Sequence, residues 1–317
     1  MNFRTISFQT YFAARDLRIA HLLRRFPYAR RWLVRLRVFL LPQNPVWVKV
    51  RSGISQGLWL KLHIPDEARF WRGEHELDVQ RAIAAAVRSG SVIYDIGAHA
   101  GSIALGLGRL VGPSGCVIAF EADPHNVDRL KECLVRNKLM NTVQVVPSAV
   151  WSYSASQISF RSGGAQRAHG GVEADGCRSV LGTGELINVP TVALDDFVAK
   201  GRPIPQVVKI DVEGGEYEVL RGAAMLFTRE RPLVIAEIHN ISAANQISSW
   251  LAQHSYGSHW IVPKEGFPRS LFAWPEQYNG AAWMSRVVGK SPLSSHSSAT
   301  GTLSKRCRAS EPQPSLP

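Results

Sequence analysis

Short apolar runs alternate with longer amphipathic stretches across residues 92–238, and this alternation predicts strands and helices in turn. Five runs have the length and composition of buried strands: 92–95, Cys116–Phe120, Val143–Val146, Val207–Ile210 and Leu233–Ile238. Helices are predicted between them, including Pro124–Lys138 and a segment around Tyr217–Phe227. Strands that alternate with helices form a parallel sheet through right-handed crossovers. The sequence therefore predicts an α/β fold with a doubly wound, mostly parallel sheet.

Other patterns flank this alternation. Residues 46–64 alternate apolar and polar positions in the manner of a β-hairpin, and Glu76–Arg88 predicts a helix leading into the first core strand. Residues 161–188 are rich in glycine, arginine and serine, so we interpret them as a long surface insertion. We place a single domain at 46–287, of which 46–90 form the hairpin and the leading helix.

A short strand and helix follow the insertion, and a polar tail ends the chain. Val189–Val192 predicts the strand, and an aspartate of the segment 194–197 is suited to capping a short helix. Residues 288–317 are rich in serine, proline and threonine, a composition that predicts disorder.

Residues 1–45 form a basic arm in which apolar positions follow helical spacing. Ile19, Leu22, Leu23 and Phe26 recur at helical intervals. The arm holds nine arginines and one acidic residue, and its apolar stretches are too short to span a bilayer. Two interpretations stay open: a helix lying in the membrane plane, or a helix that packs on its own domain or on a second copy in a homodimer. An organelle transit peptide has a similar composition.

Charge and cysteine content narrow the function. The chain of 317 residues has a net charge of +12, but the segment 46–287 carries 24 basic and 23 acidic side chains and is almost neutral. A neutral body argues against a nucleic-acid substrate. The four cysteines show no metal-ligand spacing, which is typical of a reduced, intracellular chain. We expect a cytoplasmic protein, peripheral to the membrane if the arm binds lipid.

The segment 92–122 contains a strand, a glycine turn and a second strand that ends in an acidic residue. Asp95 ends the first apolar run, Gly97 and Gly101 bound the turn, and Glu121 ends the second run. Glycines let the backbone approach a ligand closely, and an acid at the second strand end commonly binds the hydroxyls of a ribose. This unit predicts a cofactor that contains adenosine.

The spacing of the turn separates two cofactor classes. A dinucleotide site requires G-x-G-x-x-G, and here His99 stands where the middle glycine would be. Asp95 would repel a pyrophosphate but suits the cationic amino-acid end of S-adenosylmethionine. The turn therefore favours S-adenosylmethionine over NAD, which also disfavours a nicotinamide-dependent oxidoreductase.

Polar groups follow all five predicted core strands. Because ligands bind beyond the carboxyl ends of the strands in open parallel sheets, we expect these groups to meet at one edge. They are Asp95, Glu121, Ser148, the run Lys209–Gly215, and Glu237–Asn240.

Several motifs, in this order, resemble the FkbM family of S-adenosylmethionine-dependent methyltransferases. They are VIYDIGAHAG, VIAFEADP, VPTVALDDF, VVKIDVEGGEYEVLRGA and PLVIAEIH, preceded by FWRGEHE, which resembles the family's G-x-x-E segment. The resemblance covers about residues 46–265, and KIDVEG is its most distinctive part. It implies a Rossmann-like class I fold and O-methylation of a hydroxyl on a sugar, glycolipid or polyketide-type metabolite. Two positions depart from the family: His99 often has an Asn counterpart, and Gly215 often an Ala.

The resemblance also implies which residues bind the cofactor. Asp95, Gly97 and Gly101 would hold the methionine moiety, with His99 in the same turn, and Glu121 would hold the ribose. Ala122, Ser148 and Ala149 would lie near the adenine.

Methyl transfer to a hydroxyl requires alignment and removal of a proton. Asp211 and His239 are the candidate catalytic residues because both lie at strand ends, and an unperturbed histidine has the better pKa for a general base. We expect no metal, although Asp211, Glu213, Glu237 and His239 would suit a hard divalent ion. A different class of function stays open: a non-catalytic, adenosine-binding or membrane-associated scaffold on the same fold.

Overall fold

The computed structural model describes residues 44–64, 66–163, 171–174, 177–178, 185–261 and 265–278, with 280, 282 and 285. The predicted arm at 1–45 and the predicted tail at 288–317 lie outside these residues, apart from 44 and 45. Within the described part of the chain, no helix is both long enough and apolar enough to cross a bilayer.

A seven-stranded sheet forms the centre of the molecule. Its strands are β3 (Val92–Ile96), β4 (Cys116–Phe120), β5 (Val143–Val146), β11 (Val207–Ile210), β12 (Leu233–Ile238), β13 (Tyr256–Trp260) and β14 (Arg269–Pro275). They stand in the order β13-β14-β12-β11-β3-β4-β5. The five strands from β12 to β5 are parallel, and β14 and β13 add an antiparallel hairpin at the edge. The predicted doubly wound, mostly parallel sheet is confirmed.

The strand order reverses between β3 and β11. The chain runs outward from β3 through β4 to β5 and then returns to place β11 on the other side of β3. Loops that follow two such strands diverge and leave a crevice, which is where open α/β sheets bind ligands. The fold therefore sets the glycine turn after β3 beside the KIDVEG segment after β11.

Helices cover both faces of this sheet because its buried strands are apolar on both sides. The helices are α1 (Ala68–Arg72), α2 (Leu77–Ala86), α3 (Ala104–Val111), α4 (Pro124–Asn137), α5 (Leu194–Ala199), α6 (Glu216–Arg221), α7 (Ala224–Arg229) and α8 (Ile241–Gln253). Ile93 points into one core with α2, α3 and α4, whereas the adjacent Tyr94 points into the opposite core with α5 to α8. An antiparallel hairpin, β1 (Val46–Lys49) and β2 (Trp59–Leu62), packs onto the first of these cores as predicted.

A second sheet lies beside the carboxyl ends of β4 and β5. It consists of β6 (Ala149–Val150), β7 (Gln157–Arg161), β8 (Gly171–Ala174), β9 (Cys177–Arg178) and β10 (Leu186–Val192). Their order is β6-β10-β7-β8-β9. Residues 171–174 and 177–178 belong to the predicted surface insertion, which is wrong for these residues because they form paired strands and Val172 is buried. The surrounding sequence is rich in glycine and arginine, and strands of four and two residues are too short to be recognised in it.

The helix predicted around Tyr217–Phe227 is divided in two at Gly222. A Cβ atom on Gly222 would lie 2.2 Å from the carbonyl oxygen of Trp151, so the chain passes too close to that loop for any other residue. Asp195 accepts hydrogen bonds from Met225 N and Leu226 N at 2.9 and 2.8 Å. The predicted capping aspartate therefore caps α7 rather than α5, the helix in which it lies.

Candidate active site

A cavity of about 350 Å³ opens at the carboxyl edge of the parallel strands, on both sides of the β3–β11 switch point. Ten of the predicted site residues line it: Gly97, His99, Glu121, Ala122, Ser148, Ala149, Asp211, Glu213, Glu237 and His239. The other two, Asp95 and Gly101, do not line it. The structure thus brings ten of the twelve predicted site residues to one cavity and leaves Asp95 and Gly101 outside its lining.

Position 97 requires glycine because the chain there lies directly against Asp211, at the end of the strand across the switch point. Its φ of +78° is in the left-handed region, and a Cβ atom there would lie 1.7 Å from the carbonyl oxygen of Asp211. Gly101 has a different reason: at φ +91° it contacts Leu105 and Leu130 in the helices behind the turn. Gly97 therefore lets the turn pack directly on the backbone of Asp211 at the end of β11, whereas Gly101 lets the turn pack against the core.

Glu121 lies in the cavity wall, and its carboxylate accepts hydrogen bonds from the protein backbone. Its Oε2 accepts the backbone N–H of His99 at 2.7 Å, and its Oε1 accepts that of Asp123 at 2.9 Å. Burial raises the pKa of Glu121, although these donors oppose the shift. A carboxylate has about four lone-pair sites, so acceptor capacity is left for the two hydroxyls of a ribose. The residue fits its predicted role.

Asp95 lies beneath the cavity rather than in its wall. It is fully buried, and the Nζ atom of Lys209 lies 3.4 Å from its Oδ1 and 3.4 Å from Oδ2 of Asp211. Lys209 also donates to the carbonyl oxygen of Gly97 at 3.3 Å. Burial by itself would lower the pKa of Lys209, but the charges of Asp95 and Asp211 raise it, so the ammonium stays charged. Asp95 thus supports the turn through Lys209 and does not reach the cavity itself.

His239 lies among carboxylates from the neighbouring strand end. Its Nδ1 is 2.5 Å from Oε1 of Glu216, and its Nε2 lies 3.3 Å from Oε2 of Glu213 and 3.7 Å from Oδ1 of Asp211. Glu216 has no exposed surface and also accepts the backbone N–H of Gly214 at 2.8 Å. Burial would lower the pKa of His239, but the hydrogen bond to Glu216 and the charges of Asp211 and Glu213 raise it to about 9. The imidazole is a stronger base than the unperturbed histidine expected from the sequence.

Glu76 and Glu237 line the same part of the cavity. Burial would raise the pKa of Glu76, but its ion pair with His75 and the charge of Lys209 hold it at about 2. Burial and the charges of Asp211 and Glu76 raise the pKa of Glu237 to about 8. Carboxyl groups with pKa values so far apart are typical of functional sites.

Four residues of this site were given no role from the sequence: His75 and Glu76, which lie in the FWRGEHE segment, Lys209, which was placed only at the edge of the sheet, and Glu216. Lys209 is a single lysine in an otherwise apolar strand, and a lysine buried there needs anionic partners, which was a usable signal. Glu216 follows two glycines and reaches His239 only because the backbone turns back there. No local pattern predicts that contact.

Of the four conditional metal ligands, Asp211, Glu213 and His239 come together. One ligand atom from each lies within 4.8 Å of the others, and the same holds for His75, Glu76 and Asp211. Glu237 belongs to neither group, although it lines the cavity.

The second sheet closes the opposite end of the cavity with apolar side chains. Trp151, Phe160 and Val172 line this end beside Ala149. Ala122 and Ser148 also line the cavity, to which Glu76, Glu237 and His239 contribute polar groups.

The doubly wound sheet, the glycine turn and the acid after β4 define the class I methyltransferase architecture. The family model "Methyltransferase FkbM domain" matches residues 95–258, about half of the chain. The chain therefore belongs to the FkbM methyltransferase family, as its motifs predict.

Two curated relatives and one solved structure are similar to this chain. The chain is 32% identical over 206 residues to the hexuronic acid methyltransferase AglP of Haloferax volcanii. That alignment covers 61% of this chain and 79% of AglP. It is 28% identical over 219 residues to the 31-O-demethyl-FK506 methyltransferase FkbM of Streptomyces tacrolimicus. That alignment covers 62% of this chain and 82% of the relative. The crystal structure of methyltransferase FkbM from Methylobacillus flagellatus aligns with a TM-score of 0.44 and 17% identity over 61% of this chain. This chain spans about half (48%) of that one.

Proposed function

We propose that this methyltransferase uses S-adenosylmethionine to methylate a hydroxyl of a sugar, glycolipid or polyketide-type metabolite. One observation carries the proposal: the cavity joins the predicted cofactor residues to a histidine whose Nδ1 lies 2.5 Å from a fully buried carboxylate. The names of the two relatives, one for a hexuronic acid and one for 31-O-demethyl-FK506, support small hydroxylated acceptors.

The residues at one end of the cavity fit the cofactor. Gly97 lines the cavity, and Glu121 retains acceptor capacity for a ribose. Ala122, Ser148 and Ala149 line the same cavity as the apolar side chains of the second sheet. When bound, S-adenosylmethionine supplies an activated methyl group, so the protein needs to provide alignment rather than covalent catalysis. We assign the glycine turn and Glu121 to holding the cofactor in place.

His239 would accept the proton of the acceptor hydroxyl. Glu216 fixes the imidazole through Nδ1, which leaves Nε2 as the atom available to the substrate. Asp211 and Glu213 face Nε2 and would stabilise the imidazolium that forms. Asp211 is also tied to Lys209, so we assign it an electrostatic rather than a proton-accepting role.

The same side chains support a second candidate, a divalent cation that polarises the hydroxyl. It rests on the close approach of Asp211, Glu213 and His239. Exhaustive treatment with a chelator followed by dialysis distinguishes the two. Under the general-base proposal the treated protein keeps its activity, whereas a loss that Mg²⁺ or Mn²⁺ restores supports the metal.

Transfer of a labelled methyl group from S-adenosylmethionine to a panel of sugars, uronic acids, glycolipids and polyketide alcohols tests the proposal. We expect label in an ether-linked methyl group for the wild-type protein and little for His239→Ala. Cofactor binding without transfer to any hydroxyl acceptor would favour the non-catalytic scaffold. Transfer to nitrogen or carbon would contradict O-methylation.

A further inference from the structure

A closed ring of polar contacts connects the segment before β3 to the cofactor end of the cavity. Its members are Glu67, His99, Glu121, Asn126 and Arg129. They come from four places in the chain: the start of α1, the glycine turn, the end of β4 and helix α4. His99, Glu121 and Asn126 line the cavity, whereas Glu67 and Arg129 do not.

Glu67 is the anchor of this ring. Its side chain is 1% exposed, and Arg129 binds it through both guanidinium ends, with Nη1 2.7 Å from Oε2 and Nη2 2.9 Å from Oε1. Oε2 also accepts the backbone N–H of His63 at 2.7 Å. A bidentate pair with this additional donor has one well-defined geometry, so Glu67 is a rigid support.

His99 connects the anchor to the cofactor end. Its Nε2 lies 3.2 Å from Oε1 of Glu67, its ring packs on Phe70, and its backbone N–H donates to Glu121 at 2.7 Å. The residue has φ +50°, a left-handed conformation that a non-glycine residue keeps only when its surroundings hold it. The contact with Glu67 is one that holds it.

Asn126 and Arg129 close the ring from the other side. The Oδ1 of Asn126 accepts from Nη2 of Arg129 at 2.6 Å, and its Nδ2 lies 3.5 Å from Oε1 of Glu121. Glu67 is therefore linked to both oxygens of the Glu121 carboxylate, through His99 on one side and Asn126 on the other.

We propose that Glu67 is a positioning residue for the cofactor, which holds the His99 turn and the Glu121 carboxylate in their binding geometry without touching the ligand. The proposal rests on the proposed use of S-adenosylmethionine. It makes the segment around α1 part of the cofactor site, although this segment precedes the β3-to-β4 unit that carries the cofactor motif.

Glu67→Gln tests the proposal because it keeps the size of the side chain and removes its charge. We expect the Kd for S-adenosylmethionine to rise about tenfold, the loss expected for one charge-assisted contact, while kcat at saturating cofactor stays unchanged. Glu132→Gln is the matched control, because Glu132 pairs with Lys61 at 2.6 Å between β2 and α4 but is half exposed and outside the ring. We expect this control to bind as the wild type does.

His99→Asn provides a second variant that leaves the buried pair of Glu67 and Arg129 intact. Asparagine tolerates the left-handed backbone and keeps the N–H donated to Glu121, but it is too short to reach Glu67. We expect weaker cofactor binding, and we expect Glu67→Gln combined with His99→Asn to bind no more weakly than Glu67→Gln alone. Wild-type affinity in Glu67→Gln, or effects of the two substitutions that add, would overturn the proposal. If the wild-type protein itself does not bind S-adenosylmethionine, the proposed function fails instead.

Discussion

The Nδ1 atom of His239 lies 2.5 Å from Oε1 of Glu216, although 22 residues separate them in the chain. The two residues belong to neighbouring parts of the sheet edge: Glu216 begins α6 after β11, and His239 follows β12. Glu216 is fully buried, and the oxygen that faces His239, Oε1, also accepts the backbone N–H of Gly214 at 2.8 Å. The pair brings the residues that follow KIDVEG into contact with the EIH segment.

Replacing Glu216 by Gln tests this pairing. The amide oxygen can still accept from Gly214 N and His239 Nδ1, but the negative charge that stabilises the imidazolium is lost, so we expect kcat to fall roughly tenfold or more. Glu218→Gln is the control, since Glu218 lies on the same helix but bonds Ser152 and Arg221 away from the cavity. Steady-state kinetics with both variants at saturating cofactor measures the difference. Equal activity of the two would contradict a role for Glu216 in catalysis.

The pH profile reports the ionisation of His239. Because its pKa is raised to about 9, the imidazole is largely protonated at neutral pH, and only the small neutral fraction accepts a proton. We expect kcat/KM to rise with pH, to reach half of its maximum near pH 9 and to level off only above that pH. In Glu216→Gln the carboxylate that raises this pKa is lost, so the rising limb should move to lower pH. A profile that is flat between pH 6 and 9 would exclude His239 as the base.

The parallel sheet and the place of the site follow from features that are local in the sequence. A polar residue ends or follows each buried run within two residues, and β3 and β4 end within one residue of the positions predicted from Asp95 and Glu121. The contacts between distant segments could not be predicted in this way. Glu67 reaches His99, and Lys209 reaches Asp95, only after the segments that carry them have packed together.

Gly101 and the second sheet show two further limits of sequence patterns. A glycine at a turn indicates that the backbone lies close to another group, but the sequence does not show which group that is. Gly101 lies close to Leu105 and Leu130 rather than to the cavity. Strands as short as Ala149–Val150 or Gly171–Ala174 carry too little periodicity to stand out from a loop. At the apolar end of the cavity, Ala149 was predicted as a site residue, whereas Phe160 and Val172 were not.

Substitution of Gly97 by Ala tests the contact across the switch point. The new Cβ would meet the carbonyl oxygen of Asp211, so we expect the free energy of unfolding to fall by about 3 kcal/mol and cofactor binding to be lost. Gly201→Ala is a matched control: its φ is +77°, and nothing lies within 4 Å of the added Cβ. We expect only the backbone cost of about 1–2 kcal/mol there. Equal losses in urea denaturation would show that the contact with Asp211 has no effect of its own.

Removal of residues 1–43 tests the role of the basic arm. The arm precedes the described domain, so we expect the truncated protein to bind S-adenosylmethionine with the affinity of the full chain. We expect only the full chain to float with vesicles that contain phosphatidylglycerol, and we expect salt to weaken that binding. Weaker cofactor binding by the truncated protein would instead assign the arm to the catalytic domain.

Isothermal titration of the full chain with S-adenosylmethionine tests the central claim most directly. The account predicts saturable binding by the wild type, unchanged binding by His239→Ala, and loss of binding by Glu121→Ala, whose carboxylate lies in the cavity wall. The His239→Ala variant should at the same time lose methyl transfer by between about 10²- and 10⁴-fold, the usual contribution of a general base. Absence of binding by the wild type, or full binding by Glu121→Ala, would contradict the account.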